Sequence, residues 1–288
     1  MLETLSYARQ AEGLNSLLSP SASPVQVIAV ASGKGGVGKT NLTANISVEL
    51  SRMGNKVLIL DADLGLANMD VLLGLNVKKN ISHLISGEAD INEIIVNGPE
   101  GVKIIPGSSG LYRMADLSHA EHIGLVRAFS TIAVNPDYLV IDSAAGISDS
   151  VITFTRAAHE IIVVVCDEPA SITDAYALIK VLNKNHGINK FRVVANMVNN
   201  YQDGVNLYGK LLKVSERFLD VTLDYLGAVP YDEYLKKSVQ KQGLVVMQYP
   251  RSKASLAIKK IAAKIEKMPL PDRARGHIEF FVERMFNI

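Results

Sequence analysis

From Val25 onward, apolar runs of strand length alternate with segments whose apolar residues recur every three or four positions. The runs "VQVIAVA" (25–31), "KVLILD" (56–61), "GVKIIPG" (101–107), "YLVIDS" (138–143), "EIIVVVC" (160–166), "FRVVAN" (191–196) and "DYLGAVP" (224–230) are rich in β-branched residues. Apolar side chains at consecutive positions fill both faces of a strand, as in the interior of a parallel sheet. Between them, "TNLTANISVELSRM", "SHAEHIGLVRAFSTI", "SITDAYALIKVLNKNHG" and "SKASLAIKKIAAKIEKM" carry the helical period. The alternation predicts an α/β fold: a doubly wound, mostly parallel sheet with helices on both faces and ligands at the carboxyl ends of its strands. Two proline-bearing stretches, "LSPSASP" (18–24) and "MPLPDRARG" (268–276), set off the ends. The expected organisation is an amphipathic segment and linker over 1–23, one domain over 24–268, and a linker with an amphipathic helix over 269–288.

Composition narrows this picture without redirecting it. The 288 residues are 48% hydrophobic and 20% charged, ordinary for a soluble globular chain. Lys and Arg total 30 against 29 Asp and Glu, so there is no global positive field and no direct nucleic-acid binding is expected. The single cysteine, Cys166, closes an apolar run and reads as a small buried hydrophobe. His119 and His122 lack the cysteines or carboxylates that would complete a metal site. Neither a signal peptide nor a membrane-spanning run is evident, which places the expected location in the cytoplasm.

The chemistry concentrates in "VASGKGGVGKTN" (30–41). Gly33 to Thr40 fits a glycine, four residues, glycine, lysine, threonine; the motif follows a strand and opens a helix, the context that gives a P-loop its meaning. Glycines let the backbone wrap a phosphate, and the helix N-terminus adds its amides. Lys39 then neutralises the β- and γ-phosphates, and the Thr40 hydroxyl is a Mg²⁺ ligand. Gly33, Lys34, Gly35, Gly36, Val37, Gly38, Lys39, Thr40 and Asn41 are the expected nucleotide cradle.

A second lysine, Lys34, stands five residues upstream of Lys39, and "KGGVGKT" resembles the deviant P-loop of the MinD/ParA ATPases. The resemblance implies ATP and Mg²⁺ as ligands and two protomers face to face, with Lys34 reaching the partner's nucleotide as a catalytic cation. It also implies that Asp63 in "LILDADLGLANMD" orients the attacking water and that Asp61 belongs to the metal surroundings. Asp142 of "YLVIDSAAG" is then the second metal-side carboxylate, and Gly146 brings a backbone N–H to the γ-phosphate. Asn196, Pro230 and Asp232 would hold the adenine, the asparagine amide offering a donor and an acceptor.

Several stretches are similar to the flagellar-number regulators of the FlhG/FleN branch: "DADLGLANMDVLLGL", "DSAAGISDS", "CDEPASITDAYALIK", "PRSKASLA" and "GHIEFFVERM". This likeness implies a slow regulatory ATPase that binds a FleQ-type transcription activator, with Glu168 touching nucleotide across the dimer. A MinD-like division-positioning ATPase is the alternative. The branch's N-terminal segment acts on the FlhF GTPase; here "RQAEGLN" (9–15) keeps Gln10, Ala11 and Leu14 but lacks the leading aspartate and trailing arginine. The tail places Ile278, Phe281, Val282, Met285 and Phe286 on one helical stripe. With only Glu279, Glu283 and Arg284 as charges beside it, docking on its own domain and membrane contact both stay open, the former at least as expected as constant lipid binding.

Overall fold

The computed structural model describes residues 24–63, 67–108, 119–270, 281–282 and 284–285. Its strands are β1 (Gln26–Ser32), β2 (Val57–Ala62), β3 (Val96–Asn97), β4 (Lys103–Ile105), β5 (Tyr138–Ala145), β6 (Glu160–Cys166), β7 (Lys190–Val198) and β8 (Thr222–Pro230). They form one sheet in the order β3-β4-β2-β5-β1-β6-β7-β8. Every pairing is parallel except that of β3 with β4. The seven strands read from the sequence are all present. Two-residue β3 is too short for any hydrophobic period to announce it.

The helices are α1 (Lys39–Arg52), α2 (Met69–Leu73), α3 (Ile81–Ile85), α4 (Ile91–Ile94), α5 (His119–Ser130), α6 (Asp149–Ala157), α7 (Pro169–His186), α8 (Tyr201–Phe218), α9 (Glu233–Gln240), α10 (Val245–Gln248) and α11 (Lys253–Glu266). Successive side chains of the central strand go to opposite faces. Ile28 and Val30 meet Leu42, Ile46, Ile258 and Ile261 of α1 and α11. Val27 and Ala29 pack in a second cluster with Phe129 and Phe154, and Ala31 in a third with Leu178 and Leu207. Phe281, Val282 and Met285 join the second cluster, and Arg156 donates to the Met285 carbonyl at 2.7 Å. The described tail residues thus lie on their own domain; Ile278 and Phe286 fall outside the described residues. Among the described residues no helix is long and apolar enough to cross a membrane.

Helix α8 is missing from the segments read in the sequence, although its buried Gly204, Leu207, Leu211 and Ser215 recur every three or four positions. Gly204 is required by contact: a Cβ there would stand 2.5 Å from the Ala228 Cβ on β8.

Candidate nucleotide site

Strand β1 lies between β5 and β6, the point where the connections depart in opposite directions, and the glycine-rich loop emerges from its carboxyl end. Gly33 is pressed against α7, where a Cβ would lie 2.1 Å from the Asp174 carbonyl carbon, so no other residue fits. Gly38 caps α1 at φ 83, a left-handed conformation, and a Cβ there would strike Asn196 Nδ2 at 2.5 Å. That same Nδ2 donates to the Val37 carbonyl at 2.7 Å, tying the loop to the end of β7. The Asn196 amide therefore positions the P-loop, with its oxygen remaining for a ligand.

The two lysines of this loop have opposite settings. Lys39 is 7% exposed and donates to Asp142 Oδ1 at 2.8 Å, which Thr43 Oγ1 also approaches at 3.3 Å. Lys34 is 40% exposed and sits 2.6 Å from Glu168 Oε2, the residue preceding α7. The hydrogen bond to Glu168, with its charge, holds the Lys34 ammonium above the ordinary lysine range.

Asp61 and Asp142 face each other in register on β2 and β5. Asp61 accepts the amides of Asp63 at 3.1 Å and Met69 at 3.2 Å, so it closes the loop that follows β2. Burial, followed by the charge of Asp142, pushes the Asp61 carboxyl up to about 7. Asp142 Oδ2 is buried with no hydrogen-bond partner. Two buried carboxyl groups side by side, one paired with Lys39 and carrying an orphaned oxygen, fit a hard divalent cation completed by phosphate oxygens. Thr40 is the second residue of α1, directly after Lys39. Among the described residues no cluster of three or more His, Cys, Asp or Glu could hold a metal alone.

Gly146 has φ 99 and donates its N–H to the Ser32 carbonyl at 2.9 Å. Beside the loop opens a cleft of about 430 Å³, whose lining includes Gly38, Asn41, Asn196, Met197, Pro230 and Asp232. Leu235 and Val239 of α9 add an apolar wall, suitable for a planar base. The Asp232 carboxylate is committed to framework, accepting Tyr234 N and Ala254 N at 2.9 Å each. Burial opposes its charge, but these amide bonds prevail and hold it below the usual carboxylate range. The sequence reading missed Thr43, one helical turn after Lys39, which that spacing could have flagged. It also missed Met197, whose φ of 57 and exposed side chain leave no mark in the sequence.

A family profile for ParA, described as the NUBPL iron-transfer P-loop NTPase, matches residues 24–266. The chain belongs to the MinD/ParA family of P-loop NTPases. The antiactivator FleN of Pseudomonas aeruginosa is 56% identical over 91% of this chain and 94% of its own. The flagellum site-determining protein YlxH of Helicobacter pylori is 37% identical over 88% of this chain and 87% of its own. The septum site-determining protein MinD from Pyrococcus horikoshii, solved with Mg-ADP, superposes with a TM-score of 0.67 at 27% identity, covering 84% of this chain and 96% of that one. Iron transfer in the profile's description finds no cluster ligand set here. This MinD/ParA member has one cysteine, buried and pushed up to about 11 by desolvation, with Sγ 3.8 Å from the Val37 carbonyl.

Proposed function

We propose that this protein is a Mg²⁺-dependent ATPase switch that dimerises with ATP and limits flagellar number by binding and restraining a FleQ-type transcription activator. The observation that carries the reading is the contrast between the two loop lysines, Lys39 buried on Asp142 and Lys34 held at the surface by Glu168. The likeness to FleN at 56% identity supports the flagellar assignment over a MinD-like positioning role, which rests on identities of 30% and below.

In this mechanism the loop amides and Lys39 take the triphosphate, Lys39 exchanging Asp142 for phosphate oxygen. Thr40, Asp142 and Asp61 would hold Mg²⁺, which when bound neutralises charge on the β- and γ-phosphates. Asn41, Asn196 and Pro230 line the base cleft, and Asp232 fixes its wall by clipping α9 to α11. Asp63 orients the water that attacks the γ-phosphorus, and ADP departs as the bridging oxygen leaves. The Gly146 amide leaves the Ser32 carbonyl to meet the γ-phosphate. Lys34 leaves Glu168 and supplies positive charge to the partner's site, which frees Glu168 to face nucleotide across the interface. After phosphate release Lys34 returns to Glu168 and the protomers part. Action on the FlhF GTPase through the N-terminal segment lies outside the described residues.

Mixing two inactive variants tests the scheme. A Lys34→Ala chain keeps an intact aspartate but cannot complete its partner, whereas an Asp63→Ala chain donates Lys34 but cannot turn over its own ATP. Each alone is expected to bind ATP and to hydrolyse it poorly; Asp63→Ala should accumulate as dimer in sedimentation. Their mixture should recover roughly one site's turnover, within the loss of 10³ or more that trans-acting cations of this type provide. No recovery despite demonstrated heterodimers overturns the trans role. Capture of the purified activator by the ATP-bound Asp63→Ala dimer, and not by nucleotide-free protein, tests the partner separately.

A further inference from the structure

Strand β8 ends the sheet, and its outer edge pairs with no other strand among the described residues. A register shift between Val193 and Val194 leaves Leu226 opposite no residue of β7. Along this edge, between the start of α8 and the exposed side of α11, runs a groove of about 760 Å³. Leu226, Ala228, Ala257 and Ile261 give it an apolar part, and Asn199 and Asn200 line it as well. Tyr201, 64% exposed, and Leu256, 50% exposed, flank it.

The charges on this groove have one sign. Lys253, Lys260 and Lys264 line it and no carboxylate does. Lys264 is already engaged, donating to the Leu226 carbonyl at 2.7 Å. Lys253 and Lys260 are exposed and have no acidic partner among the described residues. From Lys253 to Lys267 five lysines stand against Glu266 alone, in a chain whose formal net charge is only +1. Nucleotide binding as described uses none of these lysines.

We propose that this groove docks an acidic, apolar-anchored peptide segment of a partner protein. Carboxylates on such a segment answer Lys253 and Lys260, and its apolar side chains enter the recess between Leu256 and Tyr201. Affinity rests on the apolar recess and the lysines, since the Leu226 carbonyl on this edge already accepts Lys264. A nucleic-acid duplex fits less well, because here the cationic ends border an apolar recess where phosphates would find no partner. Exposed ion pairs of this kind steer encounter and select partners more than they add affinity, so the complex is expected to weaken with salt. The groove shares Pro230 with the base cleft, and α11 presents Ile258 to the cleft and Ile261 to the groove. The proposal nevertheless stands independently of the ATPase scheme.

The test uses the full chain and a fluorescent peptide built of Glu and Leu, followed by anisotropy. Saturable, salt-sensitive binding is expected, weakened about tenfold or more in the Lys253→Glu, Lys260→Glu double variant. Leu256→Ser should weaken binding while leaving the salt dependence in place. ATP turnover should be unchanged in both variants, since neither alters the nucleotide site. Undiminished binding by the double variant overturns the site. Equal binding of a poly-Glu peptide overturns the apolar anchor. Stronger binding of duplex DNA or of anionic phosphatidylserine vesicles, lost in the double variant, overturns the assignment of an acidic peptide.

Discussion

Lys39 is the ion-pair partner of buried Asp142, and its removal should be felt in binding and in folding alike. In Lys39→Ala the triphosphate loses its principal cation, and isothermal titration should show no ATP binding; wild-type affinity would contradict the P-loop assignment. Asp142, 1% exposed, would also lose its ion pair, at a cost of about 3 kcal/mol or more. Asp61 gives the opposite signal. Its carboxyl keeps a proton to about 7 in the folded chain against a reference of 3.8, so the folded state binds more protons across that window. Its contribution to stability is therefore full below the reference value and is lost as pH rises to about 7, by up to roughly 4 kcal/mol. Urea midpoints for wild type should fall between pH 5 and pH 8, and Asp61→Asn, which cannot ionise, should flatten that fall. An unchanged slope would mean that Asp61 ionises normally. At this scale the loop, Asp61 and Asp142 were legible because each sits at a strand end in a fixed motif. The Lys34–Glu168 pair was not, since its partners are 134 positions apart and only the packing of Gly33 on α7 brings them together.

Phe281 is fully buried beneath the sheet face that also carries Phe129 and Phe154. Its truncation to Ala should lower folding stability by about 3–5 kcal/mol, as for a buried aromatic anywhere in a core. A denaturant midpoint that does not move would mean that the tail leaves the domain in solution and serves another surface. The apolar stripe of this segment was readable from sequence; which surface receives it was not, because charge scarcity left domain and membrane both open, and the packing of Phe281, Val282 and Met285 in the second cluster came from the structure. The strands were legible because burial on both faces writes itself as an unbroken apolar run. Helices α6, α8 and α9 were not among the segments recognised. For α8 the period is present in Leu207, Tyr208, Leu211 and Leu212, and the small Gly204 and Ser215 at either end of that face blur it. Asp232, assigned to the adenine through the family resemblance, lines the cleft and also joins α9 to α11 by its hydrogen bonds.

The whole molecule hangs its chemistry on the switch point of one sheet, with β1 feeding the loop, β2 and β5 the carboxylates, and β7 and β8 the cleft. Periodicity fixes that such a switch point exists, but strand order depends on pairing over long separations and came from the structure. One detail of this arrangement turns the molecule into its own gauge. The chain has a single sulfur nucleophile, and Cys166 lies under the P-loop, 6% exposed and beside the Val37 carbonyl. A thiol-specific dye can therefore report on movement around the loop without any engineered label, and a nucleotide-dependent rate separates loop opening from entry through the pocket that Cys166 lines with Asp167, Met197 and Asp203. Adduct formation should be slow in the free protein and slower still with saturating nucleotide, by a factor that counts how often the phosphate cradle opens. Labelling rates indifferent to nucleotide would mean that the dye reaches Cys166 by another route.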